Sequence, residues 1–242
     1  MRLKLISCEV LFREMCNACA HSPHQVDLEF LPKGLHDLGG RPMAAKIQEA
    51  VDRTPEGIYD AILLGYGLCG NGLDGLTARH TRLVLPRAHD CIALLMGSRE
   101  RYQAYFERNP GTYYRSTGWL ERGKGLQQLT HNTAGIDESL EAMIRKYGDD
   151  NGRYLYDELT RYRSHYSKLT FIQTGLEAGG TFLAEAAAEA SQNGWSFERL
   201  PGDLAWLRRM VEGEWAENEF VVAAPGHRIV ASYDTGVVKV QA

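Results

Sequence analysis

Two almost uninterrupted apolar runs, YDAILLGYGLCGNG at 59–72 and TRLVLPRAHDC at 81–91, restrict the fold of this chain more than any other feature in it. A strand with one wet face alternates apolar and polar residues, whereas a strand buried on both faces reads as a continuous apolar run. These segments therefore predict parallel strands near 60–66 and 81–86, covered by helices above and below. In such sheets ligand sites lie beyond the carboxyl ends of the strands, where loops leave the layer. Cys69 and the His89-Asp90-Cys91 segment both fall at that edge.

The flanking sequence repeats the pattern. LKLISCEV at 3–10 and VDLEFL at 26–31 read as short strands, the first ending near Cys8, with a Cys/His/Pro loop between them at 15–25 that shows no helical period. Residues 43–53 suit a helix, with Pro42 in its first turn and Ile47 and Val51 four apart on one face. Ser98 is placed to cap a helix over 98–108, which stops before Asn109-Pro110-Gly111. GTYYRSTGW at 111–119 reads as a strand or aromatic loop, and 136–147 and 152–166 as two helices. KLTFIQTGL at 168–176 followed by a helix at 181–194, with Gly194 as its stop, makes a second βα unit. The closing EFVVAAPGHRIVASYDTGVVKVQA reads as two strands around a Pro-Gly turn. The fold class expected is α/β, a mainly parallel sheet flanked by helices, with a lobe over 1–125 and a second, closely packed βα lobe over 126–242.

The 242 residues, 44% hydrophobic and 24% charged, are enough to bury a sizeable core. A net charge of −4 gives no electrostatic reason to expect nucleic acid as a partner. No window approaches the ~20 apolar residues of a membrane span, and the N-terminal apolar run is broken by Cys8-Glu9 before any cleavage-like site. The chain is expected to be cytoplasmic and to act on a small molecule. Five cysteines, an odd number, then read as reduced thiols, ligands or nucleophiles rather than as a disulfide framework.

Cys8, Cys69, His89 and Cys91 form the sharpest constellation. Thiolate sulfur and imidazole nitrogen suit zinc, with iron as the alternative; three protein ligands would leave an open Lewis-acid position and four would close it. The same residues also allow buried structural thiols or a catalytic thiol. Cys16-Asn17-Ala18-Cys19, with His21 and His24 close behind, is a second cluster, readable as mixed Cys/His ligation or as solvated thiols. Gly65, Gly67 and Gly70 reproduce a G-x-G-x-x-G spacing, but Asn71-Gly72 and Asp74-Gly75 break the helix that dinucleotide binding needs. Backbone around Gly67, Gly70 and Gly72, with Ser98 and Arg99, is a candidate cradle for an anion or cofactor edge. Arg87, Asp90 and Glu177 are candidate catalytic groups: Arg87 as a clamp for a carboxylate or phosphate, Asp90 as the group orienting His89. Tyr113, Tyr114 and Trp119 are candidates to complete a pocket.

The segments SCEVLFRE, YGLCGNGLDGL, LPRAHDCIALLMGSRERY and NPGTYYRSTGWLE together resemble a family of bacterial and archaeal proteins of unknown function. The resemblance spans most of residues 1–235, and it implies a setting near corrinoid-dependent methyltransferase systems, beside which genes of that family are often found. His89-x-Cys91 is also similar to the His-x-Cys part of the zinc site in methylcobamide:thiol methyltransferases, which use zinc to activate a thiolate; here the other cysteines lie upstream. Two functions are then expected to compete. One is a zinc or iron enzyme of one-carbon or methyl-group metabolism that activates a thiol or water, a methyltransferase or related transferase. The other is a non-catalytic accessory protein that holds a metal, a corrinoid or an iron–sulfur cluster for a corrinoid protein or methyltransferase partner.

Overall fold

A computed structural model describes residues 1–122, 140–160, 165–232 and 234–242. The buried runs form the strands expected of them. β1 (Arg2–Cys8), β2 (Gln25–Leu31), β3 (Ala61–Gly65) and β4 (Leu83–Pro86) lie parallel in the order β2-β1-β3-β4, and β8 (Phe220–Ala223) closes the sheet antiparallel to β4. Every residue of β3 and β4 is buried. α2 (Gly40–Asp52) turns Met43, Ile47, Ala50 and Val51 inward, the i, i+4, i+7, i+8 stripe that its sequence promised.

A second sheet contains β5 (Thr112–Ser116), β6 (Lys168–Gln173) and β7 (Ser196–Pro201), all parallel, in the order β5-β6-β7. α8 (Thr181–Gln192) packs Ala186 and Ala190 on Leu169 and Phe171. Ile172 belongs to the core of the first sheet, and Tyr114, Trp119, Leu176 and Leu200 pack against it, so the two layers share an interior. The chain enters the second layer at β5, and after β7 it returns through α9 (Ala205–Glu212) to supply β8 to the first.

One difference from the sequence reading has a physical cause. Phe12–His21 is a helix, α1, where a loop was expected over 15–25. Met15 and Ala18 are buried one turn apart and Leu11, just before the helix, lies on the same face, a period hidden by the polar and cysteine residues between them. The closing segment has its two strands around the Pro-Gly turn, with Gly226 at φ 86, and a third strand beyond them. β8 pairs with β4, and β9 (Arg228–Ala231) pairs with β10 (Val238–Gln241). Of the helices expected over 136–166, α6 (Leu140–Tyr147) and α7 (Asp149–Thr160) are seen; the remainder of that span lies outside the described residues, apart from the short stretch after 164.

Candidate functional site: three thiols at the strand ends

Cys8 is the last residue of β1, Cys69 lies in the glycine-rich turn after β3, and Cys91 opens α3 (Cys91–Met96) just after β4. These are three neighbouring strands, so parallel pairing alone delivers the cysteines to one edge. All three are free and buried, at 5%, 7% and 5% exposure.

The local backbone explains how they are held. Cys69 adopts φ 49 and Asn71 φ 69, left-handed values that side chains rarely take, while Gly70 at φ 63 takes them without strain. The Cys69 N–H donates to the His89 carbonyl at 2.8 Å and Leu68 N–H to the Ala88 carbonyl at 2.8 Å, fastening this turn to the one after β4. The two turns approach so closely at Gly67 that a Cβ there would lie 2.5 Å from the Asp90 Cα. Asp90 then starts α3: one carboxylate oxygen accepts the Ala93 N–H at 3.0 Å and the other the Tyr102 hydroxyl at 3.0 Å. Tyr102 lies on α4 (Arg99–Arg108), which Ser98 caps as its sequence predicts by accepting the Arg101 N–H at 3.1 Å.

The Trp119 indole donates to the Cys91 sulfur at 3.3 Å, and the backbone at Val10 favours the charged form of Cys8, as that at Gly67 and Cys91 does for Cys69. Trp119 lies on α5 (Thr117–Glu121), which follows the first strand of the second sheet, so its bond crosses between the two sheets. Burial pushes the Cys8 thiol up to about 11 and raises those of Cys69 and Cys91 further. The thiols also act on one another, since a charge on Cys8 opposes ionisation of Cys69 and Cys91, and Cys69 that of Cys91. The Tyr66 phenol, 2% exposed and without a hydrogen-bond partner, is held un-ionised by burial and then by Cys8 and Cys69.

The remaining candidates lie apart from this group. His89 is exposed, and its carbonyl accepts the Cys69 N–H. Among the described residues no three His, Cys, Asp or Glu side chains are grouped tightly enough to hold a metal ion. Arg87 donates to the carbonyls of Glu217, Gly236 and Val238 and so ties down the C-terminal strands. Arg99 reaches the Thr235 carbonyl and Glu100. Glu177 accepts the Thr174 N–H at 2.7 Å in the loop after β6. Gly72 lies against Met43, where a Cβ would fall 2.3 Å from the sulfur. Cys16 and Cys19 stand one turn apart on α1, both partly exposed; His21 bonds back to the Asn17 carbonyl, and His24 contacts the N-terminal amine and the Glu212 carbonyl. Tyr66 and Tyr102 were not foreseen. The only cue for either was an aromatic residue one step inside an apolar or helical run, a pattern that core packing explains equally well.

The fold and site together define a class: an α/β protein of two mainly parallel sheets and a two-stranded antiparallel one, with buried thiols at the carboxyl ends of parallel strands. Residues 30–211, about three quarters of the chain, match the family described as "Protein of unknown function (DUF1638)", and the chain belongs to that family. No curated protein and no solved structure matches it.

Proposed function

We propose that Cys8, Cys69 and Cys91 together bind a thiolate-ligated metal group, best read as an iron–sulfur cluster, and that the chain serves methyl-group or one-carbon chemistry through it. The observation that carries this reading is the arrival of three free, buried thiols at one strand-end edge, with the Trp119 indole donating to Cys91 at 3.3 Å. A neutral thiol is a weak acceptor, whereas a metal-bound thiolate is a strong one, and hydrogen bonds to such sulfurs set the potential of a cluster. Burial raises the pKa of all three thiols, so each stays protonated until a bound metal displaces its proton.

A cluster fits better than a single zinc ion. Zinc needs every ligand atom within about 2.3 Å of one centre, and His89, the nitrogen ligand expected of it, faces solvent. A cubane spreads its cysteines over different irons and tolerates more widely spaced sulfurs, and three cysteines leave one iron open to a substrate or a partner's ligand. Five unpaired thiols suit a reducing cytoplasmic setting.

Elemental analysis and absorbance of protein purified without oxygen test the proposal. Iron and sulfide are expected in the native protein and mostly lost in Cys69→Ser or Cys91→Ser, while the Cys16→Ser/Cys19→Ser double variant keeps nearly all of both. Stoichiometric zinc lost in the same single variants would return the mononuclear reading, and metal-free protein would refute both.

A further inference from the structure

Cys16 and Cys19 are the two cysteines that the buried group leaves out. They lie three residues apart in the second half of α1, and both are partly exposed. In a helix of 3.6 residues per turn rising about 1.5 Å per residue, Cα atoms at i and i+3 are about 5 Å apart. That falls inside the roughly 4.4–6.8 Å spanned by a disulfide. The Cβ atoms of such a pair start about 5–6 Å apart and must close by about 1 Å or more to reach bonding distance. Cys19 sits where this closure is easiest, because its carbonyl accepts the Ser22 N–H at 3.2 Å and the helix stops at His21. A terminal turn loosens without disturbing the rest of the helix.

The two thiols are not equivalent. Cys19 packs against the core, and burial, followed by the charge of Cys16, pushes its thiol up to about 12. Burial raises Cys16 as well, but Arg122 opposes that rise. The Arg122 guanidinium lies 4.4 Å from the centroid of the Phe12 ring, and Phe12 is one turn before Cys16 on the same face of α1. A partly exposed thiol with a cation at hand and a second thiol one turn away has the make-up of an attacking and a resolving cysteine.

We propose that Cys16 and Cys19 form a reversible disulfide by exchange with a low-molecular-weight disulfide, Cys16 attacking and Cys19 resolving. Cys16, as thiolate, attacks one sulfur of the small disulfide. That S–S bond breaks, one small thiolate leaves and takes up the proton that Cys16 gave up, and Cys16 is left in a mixed disulfide. Cys19 then attacks the Cys16 sulfur, and the second small thiol leaves with the Cys19 proton. Two protein thiols are oxidised and one small disulfide is reduced, two electrons in all. The helix strains the bond it holds, so the bridge is readily reduced again, as a redox-responsive pair requires and a structural bridge does not. The inference is independent of what Cys8, Cys69 and Cys91 hold, since burial keeps those thiols out of the exchange.

Equilibration of the whole protein without oxygen in mixtures of glutathione and glutathione disulfide, followed by acid trapping, alkylation and peptide mapping, tests it. Cys16 and Cys19 fall in one tryptic peptide, residues 14–33, which holds no other cysteine. As the disulfide fraction rises, that peptide is expected to lose two hydrogens and both alkylation sites together, and to regain them in excess glutathione. Cys19→Ser should stop at a glutathione mixed disulfide on Cys16, and Cys16→Ser should leave Cys19 about tenfold or more slower to react than Cys16 is in the wild type. A native peptide that stays reduced at the highest disulfide fraction, a mixed disulfide on Cys16 that never resolves, or a bridge that forms only in denaturant would each overturn the proposal. So would a Cys19 that reacts in Cys16→Ser as fast as Cys16 does in Cys19→Ser.

Discussion

Cys69 and Asn71 occupy left-handed backbone at φ 49 and 69, where a side chain costs roughly 1–2 kcal/mol relative to glycine. Asn71→Gly is accordingly expected to be neutral or slightly stabilising and Asn71→Val destabilising by about 1 kcal/mol or more, read from urea midpoints. Gly67→Ala should cost more than either, because its new methyl meets the Asp90 backbone rather than a side chain that can swing away. The thiol acidity constants make a second prediction. In metal-free folded protein at mildly alkaline pH, alkylation should reach partly exposed Cys16 first and spare Cys8, Cys69 and Cys91 until denaturant is added, as peptide mapping by mass spectrometry would show. Rapid labelling of Cys91 in the folded chain would contradict its burial. Glu14 carries a pH dependence of opposite sense to that of an ion-paired carboxylate. Its folded value is raised, so the folded state holds the proton more tightly, and stability falls as pH rises from the unfolded value through the folded one. Glu14→Gln should flatten that decline between mildly acidic and neutral pH in thermal denaturation.

Among the elements, α3 depends most on one residue. Asp90 both caps it and anchors Tyr102 of α4, so Asp90→Ala should cost about 1 kcal/mol for the cap alone and also leave the Tyr102 hydroxyl without its acceptor. Trp119→Phe removes the indole donor while keeping the ring's packing. In a cluster-bearing protein it should leave iron content unchanged and lower the reduction potential, measured by redox titration, since a lost N–H···S bond destabilises the more negative reduced state. These elements also mark how far sequence alone reaches. β3 and β4 were legible because a doubly buried strand must be apolar throughout, and α4 because Ser98 announces its start. α1 was missed because its buried stripe is short and interrupted by cysteines, and the fate of the last strands because local pattern shows that Phe220–Ala223 is extended but not which edge it joins. The three thiols could be placed at one edge from strand order; Trp119 as the donor to Cys91 could not, because that bond joins separate sheets.

At the scale of the whole molecule, the two sheets are held by close backbone approach as much as by side chains. Gly118→Ala cannot be accommodated without moving the Val10 carbonyl, so it should strain the contact between the sheets and lower the melting temperature more than the same change at Gly180, where a Cβ meets nothing. The first sheet is also completed late. β4 sits between β3 and a strand drawn from residues 220–223, with the second sheet inserted before it in the chain. A chain ending after Glu212 would leave Leu83, Val84 and Leu85 along an unpaired edge and is expected to aggregate.

The same connection orders events on the ribosome. Cys8, Cys69 and Cys91 are made within the first 91 residues, yet the sheet whose edge carries them cannot close until β8 has emerged more than a hundred residues later. Through that interval the thiols belong to a nascent chain without its final layer, and pairing across so long a separation is slow to form. If these thiols take the proposed cluster, the yield of loaded protein should depend on the timing of its supply as well as on its abundance.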